Sequence, residues 1–338
     1  MATIHDVATL AGVSATTAKR AIRSPQLLAP QTLERVQQAI EALHYEPDQI
    51  ASALRGGHTK TIGLMIGDIL EPSFAMLTRS IGQQVRQKGY SLLLADNEYN
   101  SALERDMLKM FYGNRVRGLI LRSAYIPSNY DYLLRLQARG SAIVELEYVQ
   151  RGSPFSHVML DNTQAAFDGV TYLVELGHKR IAYVGKASSA DNTEERHEGF
   201  VAACKHYGLE LSKQLMGTVE SYNEDEAYTV VRRLLELHKP PTAIFAFNGT
   251  CTLAVYRAIQ HQNLHIPKDI SLLGFDNYSW TSLVTPPLDV LEQPLNDMAS
   301  HAVELVFEQM KSGKPLARHV RLPAKLIQRG SCQAPKVA

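Results

Sequence analysis

The sequence predicts a small all-α helix-turn-helix headpiece followed by an α/β domain of two doubly wound parallel-sheet lobes. Three observations carry that expectation. Residues 6–22, DVATLAGVSATTAKRAI, hold two short helical patterns joined by a turn at Gly12. Pro47 then interrupts the helical periodicity. From 61 onward, apolar runs of strand length alternate with amphipathic helical stretches, and the alternation repeats from about 161. Alternation of that kind builds parallel strands covered by helices on both faces, here twice.

In the headpiece, Thr3 and Asp6 have the spacing of a capping box, and Val7, Leu10 and Ala11 supply one apolar face. Ser14 is placed to cap the second helix, whose Ala18, Ala21 and Ile22 point inward. Ala15, Thr16, Lys19 and Arg20 are left outward, and Lys19, Arg20 and Arg23 form a basic edge, the construction of a major-groove reader. A third helix is expected over 29–45, with Pro30 in its first turn and Leu33, Val36, Ile40 and Leu43 at helical spacing. Ala29 stands at its cap without a side-chain oxygen, an omission of roughly 1 kcal/mol. Residues 48–57 read as a further helix capped by Asp48 and ended by Gly56, too short to hold without something packed on it.

The first α/β half is expected to use strands in 61–67, 90–96, 117–123 and 141–147, with helices near 74–88, 101–113 and 128–139 between them. The second uses strands in 180–185, 242–247 and 270–275, with helices at 163–177, 195–207, 223–238 and 250–262. Ligands of such sheets sit off the carboxyl ends of the strands, here where two lobes would face each other. The 338 residues, 45% hydrophobic, are enough for a sizeable core. No apolar run approaches a membrane span and the start lacks a signal peptide's apolar core, so no membrane partner and a cytoplasmic location are expected. Cys204, Cys251 and Cys332 are scattered without paired spacing, which argues against disulfides and a zinc site. Net charge is +1 for the chain, so the case for DNA rests on where Lys19, Arg20, Arg23, Arg55 and Lys60 stand.

The first 60 residues resemble the lactose, galactose and purine repressor family of bacterial transcription regulators. The resemblance continues through TKTIGLMIGDILEPSF (59–74), KGYSLLLAD (88–96), VRGLIL (116–121), ELGHKRIAYVG (175–185), RHEGF (196–200), PPTAIFAFNG (240–249), IPKDISLLGFDN (266–277) and TPPLDVLEQP (285–294). It implies a DNA-binding headpiece over 1–47, a hinge helix and linker over 48–58, and a periplasmic-binding-protein-like effector and dimerisation domain over 59–333. The chain would cross between lobes near 161, 290 and 320, giving an N-lobe of 61–160 and 292–319 and a C-lobe of 161–291 and 320–333. The implied DNA-facing residues are His5, Ser14, Ala15, Thr16, Thr17, Lys19, Arg20 and Arg23, with Leu54 of the hinge as a minor-groove wedge. Arg20 is the base-reading candidate, while Lys19 either anchors a phosphate or reaches a base. The partner is a palindromic operator bound by a homodimer, and the tail after Leu326 has no heptads for higher assembly.

For the effector the resemblance implies Ser73, Phe74, Arg122, Tyr148, Arg196, Tyr222, Asn248 and Asp276, an aromatic and polar set suited to polyhydroxylated ligands. Arg122 requires a counter-charge: either Glu71 or Glu147 pairs with it, or the ligand is anionic. The effector is thus a neutral sugar, a sugar acid or a phosphosugar. Enzyme motifs are missing, since there is no Walker loop, GxGxxG, GxSxG or HExxH, and no cofactor or metal is expected. His261 and His265 are four apart without a supporting carboxylate or thiolate cluster. An exported sugar-binding protein of a transporter would share the two lobes but needs a signal peptide in place of a headpiece.

Overall fold

Capping chemistry sets the first helices. In the computed structural model, which describes residues 2–46, 59–125, 128–150, 152–187, 194–220 and 223–336, Thr3 and Asp6 close the expected capping box on α1 (Ile4–Leu10). Ser14 accepts from the Thr17 amide at the start of α2 (Ala15–Arg23). Gly12 turns the chain between them at φ 62°, a conformation that disfavours any residue with a Cβ. Helix α3 (Pro30–Ala42) is shorter than expected and has no side-chain cap, as Ala29 dictates. The three helices close on Val7, Ala8, Ala11, Ala18, Ala21, Val36 and Ala39. Leu10 corrects the predicted face: it is 56% exposed, and Ala8 takes the inward position beside Val7.

The chain divides into two units, Met1–Thr59 and Lys60–Ala338. In the second unit, β1 (Thr61–Ile66), β2 (Ser91–Asp96), β3 (Gly118–Leu121), β4 (Ala142–Leu146), β5 (Ser156–Leu160) and β11 (His319–Leu322) form a parallel sheet in the order β11-β5-β4-β3-β1-β2. Its helices are α4 (Pro72–Gln87), α5 (Ser101–Gly113), α6 (Tyr130–Ala138) and α11 (Leu295–Ser312). The second sheet, ordered β12-β10-β9-β8-β6-β7, contains β6 (Ile181–Gly185), β7 (Met216–Thr218), β8 (Ala243–Ala246), β9 (Ser271–Phe275), β10 (Asp289–Glu292) and β12 (Lys325–Ile327). Around it lie α7 (Asn162–Glu175), α8 (Glu195–His206), α9 (Glu224–Leu235) and α10 (Gly249–His261). β12 runs antiparallel to β10, the one departure from parallel pairing among the described strands.

The lobe boundaries move slightly from those expected. β10 keeps Glu292 in the second lobe, and β11 keeps residues 320–322 in the first, so the later crossings fall at 293–294 and 323–324. After the first of these, α11 buries Met298, Ala302, Val303 and Val306 against Ile62, Ile120 and Val144 of the first sheet. The second lobe closes on Tyr183, Phe200, Phe245 and Phe275, each large ring contributing roughly 1.5–3 kcal/mol by burial. No described helix is long and apolar enough to cross a membrane.

Candidate functional site

The outward face of α2 carries the residues expected to meet DNA. Thr16 and Arg20 are exposed, and Ala15 and Lys19 are half-buried; Thr16, Lys19 and Arg20 share a face by their i, i+3, i+4 spacing. His5 is exposed on α1. Ser14 and Thr17 are tied to each other by a 2.8 Å hydroxyl contact at the cap, so their side chains first serve to start the helix. Arg23 ends α2, but its side chain lies outside the described residues, as do Leu54 and the expected hinge helix at 48–57.

In the second unit the candidate effector residues gather at the carboxyl ends of both sheets. Arg122 follows β3 and is buried. Its guanidinium carbon lies 4.6, 4.5 and 4.6 Å from the ring centres of Tyr99, Tyr125 and Tyr148. Nη1 donates to the Ser123 carbonyl at 2.6 Å, and Nε lies 3.7 Å from Glu147 Oε2. Of the two expected counter-charges, Glu147 is therefore the partner. Glu71 is engaged across the lobes instead, accepting from Tyr278 Oη at 2.6 Å and Thr250 Oγ1 at 3.2 Å.

From the second lobe, Arg196 stands in the first turn of α8, nine-tenths buried, with its guanidinium 3.7 Å over Phe275. Its Nε donates to Asn162 Oδ1 and its Nη1 to the Phe247 carbonyl, both at 2.7 Å. Asn248 caps α10 through Oδ1, which accepts from the Cys251 amide. Asp276, left-handed at φ 69°, accepts from the Gly249 amide at 3.0 Å and from Gln293 Nε2 at 2.7 Å. Gly249 is required at that junction, because a Cβ there would lie 2.2 Å from the Tyr278 ring.

Burial governs the electrostatics. It pushes the Glu147 carboxyl up to about 7 against the pull of Arg122 and Arg196, and raises Glu71 and Glu194. The Tyr148 phenol is pushed up to about 12, and Lys186, 4.6 Å over the Tyr125 ring, is lowered. Arg122, Arg196 and Lys186 thus stand among Glu71, Glu147, Glu194 and Asp276. Behind them, Glu104 accepts from the Ala124 amide and from Asn129 Nδ2 at 2.8 Å. Glu145 accepts from Ser123 at 3.0 Å, Tyr130 at 3.2 Å and Ser153. These two buried carboxyl groups fix the segment after β3 that carries Arg122 and Tyr125.

Of the predicted set, Ser73, Arg122, Tyr148, Arg196, Asn248 and Asp276 stand at strand ends or helix starts facing this region, and Ser73 is buried. Phe74 does not belong with them. It is 1% exposed and packs with Leu77, Ile81 and Val85 in the first-lobe core, because those positions form one stripe on α4. Tyr222 lies outside the described residues. Tyr99, Tyr125, Lys186, Tyr278 and Gln293, each a polar or aromatic residue just beyond a strand, and Glu194, at the start of α8, were not singled out from the sequence.

The arrangement offers ring faces, hydroxyls and anchored guanidinium and amide groups, and little for covalent chemistry. Cys204 and Cys251 are buried with thiols pushed up to about 12, disfavouring a thiolate nucleophile. No cluster of three metal-ligating side chains occurs among the described residues. His261 bonds Tyr228, and His265 bonds Asp269.

A three-helix reader joined to a two-lobed unit with a polar, aromatic inter-lobe site defines the class of DNA-binding regulators that sense a small molecule. Residues 3–48 match the model of bacterial regulatory proteins of the lacI family, and 170–332 match a periplasmic binding protein-like domain. The chain is 30% identical over 335 residues to the HTH-type transcriptional repressor PurR of Erwinia tasmaniensis, covering 98% of this chain and 97% of that one. The chain belongs to the LacI family of transcription regulators. Its fold matches the lac repressor dimer bound to operator and the anti-inducer ONPF, with a TM-score of 0.85, 22% identity and coverage of 98% and 99% of the two chains. It also matches the transcriptional regulator CelR in its cellobiose complex, with a TM-score of 0.72, 24% identity and coverage of 98% and 100%.

Proposed function

We propose that this regulator is a cytoplasmic repressor whose hold on operator DNA is set by an uncharged, carbohydrate-like effector between the two lobes. The pairing of Arg122 with Glu147, 3.7 Å apart, carries the choice of effector class. An anionic ligand would need an open guanidinium, whereas this one is enclosed by three tyrosine rings, the Ser123 carbonyl and Glu147. Hydroxyl groups, in contrast, can share donors and acceptors with Ser73, Arg122, Tyr148, Arg196, Asn248 and Asp276. The CelR complex makes a neutral saccharide compatible with this architecture.

On the DNA side, Arg20 is assigned the base contact, bidentate to guanine, with Ala15 and Thr16 beside it. His5, Ser14, Thr17, Lys19 and Arg23 surround it, and Leu54 is the wedge that kinks the central step. Two chains are required to present two such helices to a palindrome. No catalytic step is assigned to the chain.

A thermal-shift panel tests the effector class, since a ligand held by the native state stabilises it by about 2.7 kcal/mol at a hundred times its Kd. Neutral mono- and disaccharides are expected to raise the Tm while the corresponding uronic acids and sugar phosphates do not. Stabilisation by the anionic members alone would reverse the assignment.

A further inference from the structure

We propose that the strand-entry end of the first lobe is a second, sequence-independent surface for DNA phosphates. This rests on the chain being a DNA-binding regulator and goes beyond the headpiece and the effector cleft. Parallel register sets Thr61 beside Ser91, and Ile62 beside Gly118, which in turn pairs with Ala142, so the segments leading into β1 to β4 share one end of the sheet. The end of α11 joins them, because Arg117 donates to the Met310 carbonyl and to the Gly140 carbonyl, both at 3.2 Å.

That end is cationic. Lys60, Lys88, Lys311 and Lys314 are exposed there, and Arg115 and Arg117 are half-buried. Residues 83–91, 112–118, 137–142 and 309–318 contain no Asp or Glu, and the neighbouring Glu308 is 3.0 Å from Arg318. Lys88, Tyr90, Arg117, Phe307, Met310 and Lys311 line an open groove, with the Lys88 ammonium 5.1 Å over Phe307. Four helices, α4, α5, α6 and α11, also end there, and helix C-termini attract cations in their own right. At about half a negative charge each, those ends offset roughly two positive charges. Six cations exceed that by a wide margin, in a chain whose net charge is only +1.

A polyanion is the matching occupant, and covalent connectivity selects DNA. Lys60 belongs to this end, and the chain preceding it is the DNA-binding unit. The backbone from Glu46 to Thr59 can span at most about 45 Å, little more than one helical turn of duplex, about 34 Å. A duplex held by the headpiece is therefore kept within a tether's length of Lys60. Lysines on such a surface strengthen binding through counterion release and read no sequence.

The test is the salt dependence of binding of the full-length chain to a long duplex of random sequence. Lys88→Gln, Lys311→Gln and Lys314→Gln are combined, since all three side chains are exposed, whereas Arg117 is left intact for its two carbonyl bonds. Each neutralised phosphate contact removes about 0.9 from the slope of log K against log salt, so the slope should shrink by about 2 to 3 for each chain bound, with Tm unchanged. Combining these changes with Arg20→Ala should give the same decrement, because the two surfaces act separately. A slope equal to that of wild type overturns the inference and leaves the face to an acidic protein or to the helix ends alone. A wild-type chain that binds no duplex overturns the DNA-binding role itself, and this inference with it.

Discussion

Tyr278 of the second lobe donates its phenolic hydrogen to Glu71 of the first at 2.6 Å, and its oxygen lies 3.5 Å from Asp276, which accepts from Gln293 at the crossover. Thr250 supplies a second bond from the same lobe. The two lobes are thus joined by a half-buried carboxyl group whose ionised form burial disfavours and the Tyr278 hydroxyl favours.

Removing that hydroxyl should loosen the lobes. Tyr278→Phe leaves the half-buried Glu71 with Thr250 alone, a loss of about 1 kcal/mol, that of an ordinary hydrogen bond. Effector affinity, measured by calorimetry, should fall with it, and a cycle with Glu71→Gln should show coupling above ~0.5 kcal/mol. Additive single and double variants would mean that the bond does not join the lobes energetically.

Arg122→Gln tests the charge balance of the cleft. The variant removes a guanidinium lying 4.5–4.6 Å from three tyrosine rings and strands Glu147 without its nearest cation. Affinity for a neutral sugar should drop at least about tenfold, with no larger loss for the matched acid, because no ligand charge depends on Arg122. A loss confined to the acid would assign Arg122 to ligand charge.

Ala29→Ser should stabilise the headpiece by about 0.5–1 kcal/mol. Ala29 already has the extended backbone of a helix cap, φ −62° and ψ 140°, and lacks only the accepting oxygen. A higher urea midpoint for the headpiece transition, followed by circular dichroism, is the expected outcome.

Glu145 gives stability a pH dependence of definite sign. Burial holds its carboxyl at about 7, above the 4.5 of an unfolded chain, so the folded state keeps a proton that the unfolded state releases. Its contribution is therefore full at low pH and is lost as pH rises from about 4.5 through 7. His178, lowered by burial, acts oppositely, so the comparison is made at fixed pH. Relative to wild type, Glu145→Gln should be more stable at pH 8 than at pH 5.5 by urea titration.

Much of this was legible from periodicity. The alternation of apolar runs and amphipathic stretches located seven strands and seven helices of the two lobes, and Thr3, Asp6 and Ser14 announced their caps. Strands such as Ser156–Leu160 and His319–Leu322 escaped because histidine, serine and arginine break their apolar runs, and pairing along the sheet holds them instead. Phe74 was legible and misplaced: its spacing with Leu77, Ile81 and Val85 marks a core stripe, yet its position after the first strand suggested ligand contact. Tyr99 and Tyr125 sit singly in loops, where no period marks them, and only the folded chain brings both against Arg122.

Control of operator binding by a neutral effector is read directly from operator affinity with and without that effector. An operator selected from a random duplex pool is titrated with the chain by fluorescence anisotropy, alone and with saturating neutral saccharide. Operator affinity should change at least about fivefold, the lower end of ordinary allosteric coupling, and Arg196→Ala should abolish that change while effector-free operator binding persists. Operator affinity indifferent to every neutral saccharide, or shifted only by anionic sugars, would contradict it.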